Sequence, residues 1–286
     1  MWEKKVQEAM VTKEMNIKTD SILNYEHPYV CTDAAVFTIS TQEPDSYRKL
    51  AQPSLQVLLY QRETEPFKGK YCLPGGFLSV DELPQDNIIR KLSEKSKVEG
   101  CFLEQLFTFC DLDRDPRARV ISIAYLGLMN ETSAQKLGEE TLWFTLQASP
   151  GRELVLQRGR QKLTKQDFGF DHYRILKTAY ERLQAKILYS NIAVNLLPEE
   201  FTLTQLQNLY ETILGKKEQA ANFRRKVMDM LQETERFTSD KGHRPARLYT
   251  KKGTTTKQPG SRQASGCQTG RQTTTKQPGS QWPGSQ

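Results

Sequence analysis

Residues 75–98, GGFLSVDELPQDNIIRKLSEKSKV, decide how the first two thirds of this chain is read. FKGKYCLPGGFLS has the character of a strand running into a glycine loop. DNIIRKLSEKSKV then has helical spacing, with Ile88, Ile89, Leu92 and Ser96 near one face. A glycine loop feeding a helix suits phosphate handling, because backbone can approach the anion closely. A metal-dependent phosphate site also needs carboxylates on that helix. Lysines stand at 91, 95 and 97 instead. The sequence therefore asks whether this site cleaves a nucleotide or only holds one.

Outward from the loop, YVCTDAAVFTIS and LQVLLYQR read as strands, separated by the turn-rich QEPDSYRKLAQPS. Downstream, LEQLFTFCDL, VISIAYLGLMN and TLWFTLQ are further strand candidates. DHYRILKTAYERLQAKIL is a helix, with Asp171 placed to cap it. Strands mixed with two helices predict an α+β core around a mixed sheet. From 189 the pattern becomes short helices. Thr202 and Gln205 form a capping box, Phe201 and Leu206 a hydrophobic staple, and Gly215 the left-handed stop. A second helix is expected over 218–231, burying Phe223, Val227, Met230 and Leu231 and turning Asn222, Arg224, Arg225 and Lys226 to solvent. Residues 233–250 are expected to form a β wing. TTTKQPGS at 254–261 recurs at 273–280 among Gln, Gly and Ser, so 251–286 is expected to be a disordered, low-complexity tail.

Composition narrows the function classes. In 286 residues there is no apolar run of membrane-spanning length, and the N-terminus lacks the apolar core of a signal peptide. Five scattered cysteines without a C-x-x-C pair argue against a disulfide framework or a zinc site and suggest a reducing compartment. The net charge of +7 arises wholly after residue 188, which points to a polyanion partner for the C-terminal part.

Gly76, Glu82 six positions on, Arg90, Leu92, Glu94 and Val98 fit the Nudix box, G-x5-E-x7-R-E-U-x-E-E-x-G-U, where U is bulky and apolar. The first part of the chain thus resembles a Nudix domain, an α/β/α sandwich with a mixed sheet. Lys91, Lys95 and Lys97 depart from the box, replacing Glu, Glu and Gly. Two carboxylates exchanged for two ammoniums on one helical face repel a dication by about 4 kcal/mol per close unit pair at surface-like dielectric. Metal-assisted hydrolysis is therefore expected to be lost, with no catalytic residue and no metal ligand. Lys91 and Lys95 become candidates for direct phosphate contact, beside Gly76, Glu82, Arg90 and Glu94. By resemblance to ADP-ribose-type Nudix domains, Arg117 and Arg119 of the DRDPRAR loop are nominated for phosphate or ribose. His172 is given only a minor ligand role.

The run from YSNIAVNLLPEEF through NFRRKVMDM, followed by HRPARLY, resembles the C-terminal domain of Nudix-related transcriptional regulators, which control NAD metabolism or sugar catabolism. Helix, turn, helix and wing carry that resemblance, and segment 216–252 is basic. In such modules the second helix enters the major groove. Asn222 suits adenine, Arg224 and Arg225 suit guanine or phosphate, Lys226 adds charge, and Arg244 and Arg247 sit in the wing. The expected organisation is an arm over 1–25, a degenerate Nudix sensor over 26–188, a winged helix-turn-helix over 189–250, and the tail. The resemblance implies a homodimeric repressor of the bacterial cytoplasm and nucleoid. It would bind operator DNA and answer to ADP-ribose or a related nucleotide, with no cofactor required and no membrane partner. Three alternatives stay open: an active Nudix pyrophosphatase, a regulator responding to a sugar metabolite, and an RNA-binding adaptor.

Overall fold

The structure is a computed structural model that describes residues 25–41, 53–137, 141–147, 153–238 and 245–252. Expectations for the arm before residue 25, for the tail beyond 252 and for Arg244 lie outside the described residues.

The sheet is built on β1 (Tyr29–Thr41), whose thirteen residues alternate between two buried faces. Beside it run β2 (Pro53–Gln61), the short β3 (Tyr71–Cys72) and β4 (Gly75–Phe77), β5 (Phe102–Phe109), β6 (Val120–Leu128), β7 (Leu142–Gln147), β8 (Val155–Arg158) and β9 (Gln161–Leu163). The path is β5-β6-β1-β2-β7-β8-β9, with β3 on β2 and β4 on β1. β1 and β6 pair in parallel and the other named pairs are antiparallel, so the sheet is mixed as expected.

Period-two alternation splits β1 between two layers. Ala34 and Val36 face α1 (Pro84–Ser96), meeting Ile88 and Leu92, and the short α2 (Glu131–Gln135) adds Ala134 to that layer. Ala35, Phe37 and Ile39 face the layer of α3 (His172–Lys186), which supplies Ile175, Leu176, Ala179 and Leu183. α1 starts with Pro84 in its first turn, where a missing N–H costs nothing. It buries Asn87, Ile88 and Leu92; Ile89, expected on that face, is 47% exposed. Its end keeps a left-handed stop without the glycine. Lys97 takes the left-handed conformation, φ 52°, where the box has glycine, and the backbone N–H groups of Lys97 and Val98 close on Ser93 and Leu92. The stop geometry outlasts the residue that made it easy.

The C-terminal module holds α4 (Leu203–Leu214), α5 (Ala220–Val227) and a three-stranded sheet in the order β10-β12-β11, from β10 (Phe201–Thr202), β11 (Leu231–Phe237) and β12 (Arg247–Lys251). Capping box, staple residues and the Gly215 stop at φ 66° all form as read. The second helix is shorter than expected. It ends at Val227, passes through a 3-10 turn at Met228–Met230, and Leu231 is buried as the first residue of β11. A strand residue happened to continue the helical spacing.

One apolar cluster runs from Phe37 and Val57 through α3 and residues 192–197 into Phe201, Leu209, Tyr210, Ile213, Phe223 and Tyr249. Polar contacts pin the same junction. Tyr180 Oη and Gln184 Nε2 both donate to the carbonyl of Ile213, at 3.0 and 2.8 Å, and Thr212 Oγ1 donates to Pro53 O at 3.1 Å.

Candidate functional site

A cleft opens where β1, β2, β4, the 110–119 loop and the start of α3 meet. Its walls include Asp33, Tyr60, Arg62, Gly75, Gly76, Phe77, Lys95, Arg114, Arg117, Phe170 and His172. Gly75 is forced by geometry: a Cβ there would lie 2.2 Å from Thr32 O and 2.3 Å from Asp33 Oδ1. The glycine that opens the box proper, Gly76, leaves room for the shaft of Lys91, whose Cε would sit 2.8 Å from an added Cβ.

The cleft floor is a buried polar network. Asp33 accepts from Ser122 Oγ at 2.6 Å and lies 3.6 Å from both Arg114 and His172 Nε2. Arg114 forks onto Asp171, with Nε and Nη2 at 3.0 and 2.6 Å from its two oxygens. Burial works against the Arg114 charge, but the Asp171 hydrogen bonds and the field of Asp33 outweigh it and hold the group firmly protonated. Asp171 does sit at the N-cap position of α3, yet its side chain makes no capping bond there. His172 Nδ1 accepts the Leu73 N–H at 2.9 Å, so its proton belongs on Nε2, toward Asp33. Burial pushes the imidazole pKa down and keeps it neutral. Burial, then Asp33, raises the Cys31 thiol to about 12, so it is no nucleophile.

The upper walls carry cations beside aromatic rings. Arg117 lies 5.7 and 5.6 Å from the centroids of Phe77 and Phe170, and is bound through Nε and Nη2 to Asp115. Arg62 stacks over Phe170 at 4.9 Å and donates to Pro66 O. Lys95 reaches in from the last turn of α1, donating to Gly75 O at 2.7 Å with its ammonium 4.5 Å from the Tyr60 ring. Burial around that ammonium lowers its pKa, although the residue as a whole is exposed.

Of the eight residues nominated for ligand contact, Gly76, Lys95 and Arg117 line the cleft. Glu82, Arg90, Glu94 and Lys91 are engaged with one another. Arg90 holds Glu82 at 2.7–2.8 Å and Glu94 at 2.8 Å, and Lys91 holds Glu94 at 2.9 Å. Asn87 ties this network to the sheet, accepting from Thr32 Oγ1 and donating to Phe77 O and Glu82. Arg119 turns back onto the carbonyls of Cys110 and Asp111 and steadies its own loop. Asp33, Tyr60, Arg62, Phe77, Arg114 and Phe170, which were not nominated, line the cleft as well, and so does His172.

A Nudix fold implies a divalent cation on α1, and these residues do not fit one. The carboxylates of Glu82 and Glu94 are both taken by cations of the same helix. Among the described residues no group of three His, Cys, Asp or Glu side chains converges.

At the other end, α5 presents Asn222, Arg224 and Arg225, all exposed. Arg225 donates to Asn222 Oδ1 at 3.0 Å, and Arg224 shares a shallow groove with Thr204 and Arg247. Arg247 is paired with Glu233 and stacks on Phe237. Lys226 departs from its expected exposure: it folds back over Tyr210, 5.5 Å from the ring, and lies 3.7 Å from Glu218. No helix among the described residues is long and apolar enough to cross a membrane.

A Nudix sheet sharing one core with a basic winged helix defines a transcriptional regulator with a built-in nucleotide-type domain. Residues 50–166 match the NUDIX domain family, and residues 193–250 match the NrtR DNA-binding winged helix domain. An ADPR responsive transcriptional repressor from Acinetobacter baylyi is 32% identical over 79% of this chain and 83% of its own length. The chain belongs to that family, the NrtR-type Nudix and winged-helix regulators. The crystal structure of Shewanella oneidensis NrtR complexed with a 27mer DNA superposes with a TM-score of 0.59. It is 33% identical, covering 78% of this chain and 93% of that one. An ADP-ribose pyrophosphatase from Methanocaldococcus jannaschii is 28% identical over 54% of this chain and 73% of its own length.

Proposed function

We propose that the protein is a repressor whose Nudix domain binds ADP-ribose or a closely related nucleotide without hydrolysing it, and whose hold on operator DNA changes with that occupancy. The observation that carries the reading is the cleft itself: cations and aromatic faces line it, while every box carboxylate is already neutralised. Such walls suit a diphosphate joined to flat or apolar groups. The Acinetobacter relative, described as ADPR responsive, supports the choice of effector.

The coupling runs through α3. Its start carries Asp171 and His172 at the cleft, and about two and three turns on, Tyr180 and Gln184 grip the end of α4. A ligand that shifts the start of α3 therefore acts on the first helix of the winged helix, and by linkage DNA must change ligand affinity by the same factor. Asn222, Arg224, Arg225 and Arg247 are the assigned DNA contacts. One such module covers a half-site, so the working form is a homodimer. It acts in the bacterial cytoplasm, on genes of NAD metabolism.

The test is a mobility shift on DNA upstream of the protein's own gene and its neighbours, with and without ADP-ribose. The expected result is a specific shift abolished by ADP-ribose. A specific shift indifferent to ADP-ribose would refute the effector. Similarity to a pyrophosphatase favours a second reading, an active hydrolase, which a magnesium assay for AMP release separates. Turnover at about 1 per second or faster would establish it.

A further inference from the structure

The cleft contains four cationic side chains, but two are spent. Arg114 belongs to Asp33 and Asp171, and Arg117 to Asp115. Arg62 and Lys95 make no ion pair among the described residues; their polar contacts there include the carbonyls of Pro66 and Gly75. Both are positioned by aromatic rings, Phe170 and Tyr60, which orient a cation without neutralising it. Two uncommitted positive charges on one cleft match the two negative charges of a diphosphate diester. Lys95 also occupies one of the box positions where the Nudix motif places a carboxylate.

We propose that the Lys95 ammonium, with the Arg62 guanidinium, takes over the charge-neutralising work of a divalent cation, so that the nucleotide diphosphate is held by protein alone and binding is independent of metal. This rests on the ADP-ribose reading of the cleft. Lys95 fits because an ammonium has three donors and, among the described residues, one is spent on Gly75, leaving two for phosphate oxygens. Arg62 fits because its fork can span oxygens of neighbouring phosphates. Lys91 has no such part. Its ammonium is paired with Glu94, and it is not among the residues lining the cleft. The two box lysines thus have different work, one as ligand and one as filler over Gly76.

Titration calorimetry of the full-length protein with ADP-ribose, in EDTA and in magnesium, tests this. Wild-type affinity should agree within about twofold between the two buffers. Lys95→Met and Arg62→Met should each weaken it about 10–100-fold, the loss expected for a charge-assisted contact. Lys95→Arg keeps the charge and should retain most of the affinity, and Lys91→Met should bind as wild type. Binding that vanishes in EDTA, or is untouched by Lys95→Met, overturns this assignment and leaves the effector standing. No binding in either buffer overturns the effector and this assignment together.

Discussion

Arg114 is the residue whose loss should be felt most. Its side chain is 3% exposed, between Asp33 at 7% and Asp171 at 13%. Arg114→Ala removes a forked contact to Asp171 and leaves two carboxylates facing each other across the vacated space. Removing one partner of a buried ion pair costs about 3–5 kcal/mol, because the remaining charge is stranded. That is a large share of the roughly 5–15 kcal/mol that holds a domain folded. With a urea m-value of about 2 kcal/mol/M, the unfolding midpoint should fall by about 2 M. Arg114→Lys should recover part of this and no more, since a point charge cannot span both oxygens of Asp171. Arg174→Ala is the control. Arg174 pairs with Asp111 with both side chains about half exposed, and such pairs contribute about 0–1 kcal/mol. Equal midpoint losses for the Arg114 and Arg174 variants would refute the reasoning, for the floor network would then be as solvated as the surface.

Thr202→Ala breaks the capping box of α4, where Thr202 Oγ1 accepts the Gln205 N–H at 3.2 Å while Gln205 Oε1 accepts the Thr202 N–H at 2.8 Å, and should cost about 1 kcal/mol in the same urea assay. Glu82 is held down at about 2 by Arg90 and Asn87. Its stabilising effect should be complete above the ordinary carboxylate pKa and be lost as pH falls toward 2. The midpoints of wild type and Glu82→Gln should therefore differ at neutral pH and converge in acid, and a gap that stays constant would contradict this. Arg225→Ala should weaken operator and non-operator DNA roughly alike and reduce the salt slope of binding by about 1, measured by titration at several salt concentrations.

The loop-helix at 76–98 was legible because its spacing is local: the glycine and the apolar stripe lie in one continuous stretch of chain. The capping box and Gly215 were legible for the same reason. The cleft was only partly so. Asp33, Arg62, Arg114 and His172 come from four segments, and nothing in local period says that the sheet brings them together. Arg117 and Arg119 show the limit from the other side, since two arginines of one motif point to different tasks. Glu82, Arg90 and Glu94 match the box by type, yet pair among themselves once the metal-facing glutamates are replaced. The overlong second helix came from Leu231, whose burial in a strand mimicked a helical position.

The shared core has a consequence for recombination. α3 belongs to neither half alone: one end closes the cleft and the other carries Tyr180 and Gln184 against α4. A crossover between sensor and DNA-binding halves placed just after α3 would pair foreign surfaces across packed apolar side chains such as Leu183, Ile187, Leu209 and Ile213. Exchange of effector specificity within this architecture should therefore proceed by substitutions around the cleft rather than by swapping whole domains. Any transplanted sensor would have to bring its own α3 together with the face of α4 that receives it.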